Sequence, residues 1–118
     1  MRQTQLPAAT LAAALLAAPA AAQTSAYAPH GNPEACGGYE EASLGNGQWF
    51  PGGEGGLIQL NNMVEVREMN AALFDATIVE EGMAEPAGRI LFASVLYEGE
   101  ARLLVVYGDG RMEIYLRC

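Results

Sequence analysis

Three apolar runs near the C-terminus, Arg89 to Tyr97, Ala101 to Tyr107 and Met112 to Leu116, are separated by short connections carrying Glu98-Gly99 and Asp109-Gly110. Strand-like runs joined by an X-Gly pair are the strongest local signal for a hairpin, because a type I′ turn needs positive φ at both central residues. The C-terminal third is therefore expected to form an antiparallel three-stranded meander.

Two-residue loops at both places would fix the register. Glu98-Gly99 sets Tyr97 opposite Glu100 and Phe92 opposite Val105. Asp109-Gly110 sets Gly108 opposite Arg111, Val105 opposite Ile114 and Ala101 opposite Cys118. Strand alternation then gathers Ile90, Phe92, Leu103, Val105, Ile114 and Cys118 on a dry inner face. The other face is mixed, with Tyr97 and Tyr115 beside an apolar band of Leu91, Val95, Leu104 and Val106. That band is a partner-binding surface if left bare and a second core layer if upstream strands cover it. The same register puts Arg102 opposite Arg117, an unfavourable pair unless a carboxylate lies between them.

Upstream the pattern continues. Phe74, Ala76 and Ile78 alternate with Asp75, Thr77 and Val79, and Val64 and Val66 with Glu65 and Arg67, so both segments read as strands. Leu57 to Leu60 either forms a further strand turned at Asn61-Asn62 or runs straight on. Asn46-Gly47 marks another hairpin, with Leu44 opposite Trp49. The fold class is all-β: a small antiparallel barrel or sandwich of seven to eight short strands, ending in the meander. Pro51 to Gly56 is expected to be a flexible glycine-rich loop, and Glu80 to Gly88 an acidic excursion between strands.

The first residues bear on where such a domain works. Arg2, an apolar stretch from Leu6 to Ala18, and Ala20-Ala21-Ala22 before Gln23 follow the order of a cleavable secretory signal. The expected organisation is a signal peptide over 1–22, a flexible leader over 23–35 rich in Pro and Gly, and a single β domain over 36–118. Localisation is then periplasmic or secreted, with no membrane span after cleavage. The only two cysteines, Cys36 and Cys118, are expected to pair in that oxidising compartment. In the chain-entropy model a bridge closing so long a loop contributes about 4 to 5 kcal/mol, which is a large share of a small domain's stability.

Composition narrows the function. All six basic residues are arginines, set against 14 acidic groups, for a net charge of −8; losing Arg2 with the signal makes it more negative. Phosphate-backbone binding depends on neutralisation by Lys and Arg, so nucleic acid is a poor partner and a basic protein a better one. Nucleophilic catalysis needs a base beside the nucleophile, and the sole histidine, His30, falls in the expected leader. No catalytic residue, metal ligand set or cofactor is implied, and the chain reads as non-enzymatic. The candidate partner-binding residues are Glu80, Glu81 and Glu85 in the acidic excursion, with Tyr97 and Tyr115 on the mixed face.

Gly47-Gln48-Trp49, followed by up-and-down strands and a basic residue in the last strand, Arg117, resembles a reduced lipocalin or calycin pattern. In outline the chain is also similar to the periplasmic lysozyme inhibitors, small exported disulfide-linked barrels. The resemblance implies a tryptophan closing one end of the barrel with a late basic residue packed over it. It further implies an acidic loop, here Glu80 to Glu85, entering a basic enzyme's cleft. Three readings follow: an exported binding or structural module of the cell envelope, an inhibitor of a basic secreted hydrolase such as lysozyme, and a carrier of a small apolar ligand.

Overall fold

The computed structural model describes residues 24–53 and 55–118; the expected signal peptide lies outside them. The fold is an eight-stranded antiparallel barrel in which every strand pairs with its neighbours in sequence and the first closes on the last. The strands are β1 (Thr24–Pro29), β2 (Ala42–Gly45), β3 (Gln48–Phe50), β4 (Leu57–Glu65), β5 (Ala71–Glu80), β6 (Met83–Tyr97), β7 (Glu100–Tyr107) and β8 (Met112–Arg117), with a 3-10 turn, η1, at Pro33–Ala35.

Alternation builds the interior. Tyr27, Leu44, Trp49, Ile90, Phe92 and Val105 are each no more than 2 % exposed, and each stands on the inner face of a different strand apart from the β6 pair Ile90 and Phe92. Trp49 lies at the centre, edge-on to Phe92 at 5.4 Å and to Tyr115 at 5.2 Å between ring centroids. Such edge-to-face pairs contribute about 0.5–1.5 kcal/mol each beyond their buried area.

Type I′ turns set the register of the β2–β3 and β6–β7 hairpins. Asn46-Gly47 and Glu98-Gly99 have positive φ at both residues, and they place Leu44 opposite Trp49 and Tyr97 opposite Glu100 as expected. The segments Leu57 to Leu60 and Val64 onward form one strand, β4, interrupted by a bulge between Asn61 and Val64.

Four expectations are corrected. First, residues 24–35 are no flexible leader. β1 starts at Thr24 and pairs with β2 and β8, so the domain begins before Cys36, and η1 packs beside it over a fully buried Ala28. Second, Glu80 to Gly88 is not a loop but a hairpin, because Glu81-Gly82 is itself a positive-φ pair that sets Glu80 opposite Met83. Third, the glycine-rich loop is tied down: the amide of Gly53 donates to the Tyr39 carbonyl at 2.9 Å, and a Cβ on Gly52 would lie 2.4 Å from the Glu40 carbonyl oxygen.

The fourth correction changes the site. The β7–β8 connection is a three-residue loop: the Gly110 amide donates to the Tyr107 carbonyl at 2.9 Å, and Gly110 follows in the left-handed region with φ 97°. This is the turn-plus-bulge form of hairpin. Asp109 enforces it by accepting the Arg111 amide at 3.0 Å, an Asx-turn. Val105 consequently faces Glu113 rather than Ile114. A slip of one residue turns every side chain of the strand over, so Tyr115 goes into the core and Ile114 and Cys118 leave the expected inner face. The opposition of Arg102 to Arg117 goes with it, and Arg102 pairs instead with Glu100 at 3.1 Å.

Cys36 and Cys118 are bonded, with 5.6 Å between their Cα atoms and a sequence separation of 82. The bridge pins the β1–β2 connection to the end of β8, across the seam where the barrel closes.

Candidate functional site: the barrel mouth

In an up-and-down barrel the β1–β2, β3–β4, β5–β6 and β7–β8 connections share one end. Here that end is open. β7 pairs with β6 only from Ile90 to Tyr97, while β6 begins at Met83 and is held over Met83 to Arg89 by β5 alone. A bulge at Ala87-Gly88, between the pairs Asp75–Arg89 and Thr77–Pro86, bends this two-stranded ribbon where β7 leaves it; bulges add local twist.

The space beside the ribbon is a cleft of about 610 Å³. Ile58, Ile78, Ile90 and Tyr107 form its apolar floor, and Arg89, Asp109 and Arg111 stand at its rim. Clefts of this size with an apolar lining and a few polar groups are the usual form of a binding site, and barrel mouths are one of their usual places. Ile78 also lines a smaller hollow of about 240 Å³ framed by Glu80, Glu81, Met83 and Glu85, so the apolar floor continues into an acidic edge.

Both rim arginines are occupied. Arg89 lies 3.5 Å from Asp75, which also accepts from the Asn62 amide group at 2.7 Å. Arg111 donates through Nε to Asp109 at 2.9 Å and stacks 4.4 Å over the Tyr107 ring. The Arg111 amide and guanidinium hold the Asp109 carboxyl below the usual carboxylate range.

Under the rim lies an aromatic cluster that the sequence reading missed. Trp49 donates through Nε1 to the Tyr107 hydroxyl at 3.0 Å, and the Tyr115 hydroxyl donates to Glu113. Burial pushes the hydroxyls of Tyr107 and Tyr115 above their ordinary range; for Tyr115 the bond to Glu113 adds to the rise. In this cluster Tyr107 accepts and Tyr115 donates.

The expected site residues separate. Glu80, Glu81 and Glu85 are together and exposed on the ribbon. Tyr115, expected on the outside, is buried at 3 % exposure, because of the register slip. Tyr97 is exposed on the outer wall, away from the ribbon, edge-on to His30 at 5.0 Å. His30 belongs to the fold: its amide donates to the Ile114 carbonyl at 2.8 Å, and its ring lies 3.8 Å from Glu98. Arg117, the late basic residue expected over Trp49, is exposed at the end of β8; the basic group nearest the tryptophan's hydrogen-bond partner is Arg111. No helix among the described residues is long and apolar enough to cross a membrane. No family model, curated protein or solved structure matches the chain.

Proposed function

We propose that this protein is an exported, non-enzymatic binding module of the cell envelope that engages a basic protein through the mouth of its barrel. One observation carries the reading: the interior is filled by Trp49, Phe92, Leu103 and Val105, and the open apolar space lies at the mouth, beside an acidic ribbon. A packed interior favours surface engagement over carriage of a small apolar ligand in the lumen. Export is supported by the signal-like N-terminus, and the disulfide suits an oxidising compartment.

The test is site-directed photo-crosslinking in the exported protein, with the photoreactive residue at Met83 on the ribbon or at Arg67 at the opposite end. A discrete adduct at Met83, diminished by salt and missing at Arg67, is expected. Equal labelling at both ends, or none at Met83, refutes the mouth as the binding face.

A second reading, inhibition of a basic secreted hydrolase such as lysozyme, is favoured by the projection of Glu80, Glu81 and Glu85 on a ribbon that outruns its neighbour β7. Unchanged lysozyme activity, together with no salt-sensitive complex, removes it.

A further inference from the structure

The mouth is missing a piece of wall. Where β7 turns away at Gly108, β6 continues alone on that side, and the cleft occupies the position a longer β7 would have filled. Its floor exposes Ile78 and the Tyr107 ring above the nearly buried Ile58 and Ile90, and the Tyr107 hydroxyl already accepts from Trp49, so water there is readily displaced by an apolar group. The charges beside it are unbalanced. Arg89 and Arg111 already face Asp75 and Asp109, whereas Glu80, Glu81 and Glu85 have no basic partner among the described residues. An anionic ligand would meet two neutralised arginines and three bare carboxylates; a cationic one would meet only the carboxylates.

We propose that the cleft is an anchor pocket for one apolar or aromatic side chain of a partner protein, presented between Lys or Arg residues that meet the acidic ribbon. The proposal rests on the mouth being the binding face and assigns the partner's local chemistry. Anchors of this kind supply most of an interface's affinity from a desolvated pocket, while surrounding charges act mainly on association rate and partner choice. Burying a phenylalanine side chain in place of a methyl group is worth about tenfold or more in affinity.

Three peptides test it on the intact disulfide-bonded protein: acetyl-Lys-Phe-Lys-amide, acetyl-Lys-Ala-Lys-amide and acetyl-Glu-Phe-Glu-amide. Binding is read from the methyl NMR signals of Ile58, Ile78 and Ile90 and from ribbon amides. The Lys-Phe-Lys peptide is expected to shift the isoleucine methyls saturably, the Lys-Ala-Lys peptide to bind about tenfold more weakly, and the Glu-Phe-Glu peptide to leave them in place. The exposed variant Glu81→Lys with Glu85→Lys is expected to weaken the first peptide without altering the free protein's methyl spectrum. If the Phe and Ala peptides bind equally and perturb only the ribbon, the anchor pocket is refuted and the acidic binding face stands. If the Glu-Phe-Glu peptide binds as well as the Lys-Phe-Lys peptide, the charge assignment is refuted. If the Lys-Phe-Lys peptide moves nothing at the mouth, both the pocket and the binding face fail.

Discussion

The closing seam of the barrel is a short join. β1 pairs with β8 over Tyr27, Ala28 and Pro29, flanked by one backbone bond from His30 to Ile114 and one from Cys118 to Ala26, whereas β6 and β7 are paired all the way from Ile90 to Tyr97. The disulfide lies across that seam, so replacing both cysteines with serine removes the tie without leaving a reactive thiol. For a loop of 82 residues the chain-entropy relation gives about 4.5 kcal/mol of lost stability. Urea unfolding of wild type and variant, side by side, measures the loss. Hydrogen exchange locates it: the amides of β1, η1 and β8 should lose protection first, and those of the β5–β6–β7 sheet last. A loss below about 1 kcal/mol, or protection falling evenly across all strands, would refute the idea that the bridge acts at the seam.

Other expectations are direct. Tyr115→Ala should cost about 3–5 kcal/mol in chemical denaturation; a cost within about 0.5 kcal/mol would mean that the side chain is outside. Deleting residues 24–29 should yield an open, dye-binding protein, since Tyr27 is 2 % exposed in the core; a cooperative unfolding transition with native stability would contradict this. Burial raises the hydroxyls of Tyr27, Tyr107 and Tyr115, so above about pH 10 the unfolded chain loses these protons before the folded one does. Stability is then whole below that pH and declines above it, and tyrosinate absorbance should rise together with the loss of structure; constant stability well into the alkaline range would count against it.

Where the chain states its turns in local chemistry, the fold is legible. Asn46-Gly47 and Glu98-Gly99 set the registers of their hairpins, and Glu81-Gly82 carries the same signal at the tip of the ribbon. Asp109-Gly110 looks alike but behaves otherwise, because a carboxylate that accepts the amide two residues on stabilises a longer loop. From that single difference follow the burial of Tyr115 and the presence of Glu113 beside it. Cys36 and Cys118 pair as expected, although the inner-face position expected for Cys118 belonged to the slipped register. β1 is illegible for another reason. Thr24-Ser25-Ala26-Tyr27-Ala28 has one large apolar side chain and no alternation, and its strand conformation comes from two neighbours distant in sequence. The acidic half of the site was visible as composition. Its apolar half was not, because Ile58, Ile78 and Ile90 come together only when the barrel closes.

That closure has a consequence for the order of events. β1 finds its second partner in the last residues of the chain, so a polypeptide that emerges N-terminus first holds an unfinished barrel until Arg117 has emerged. Contacts of such long sequence separation form late and slowly. Until then the free edge of β1 is open to other chains. The small, polar character of β1, which hides it from a reader of the sequence, also makes it a poor nucleus for aggregation while it waits.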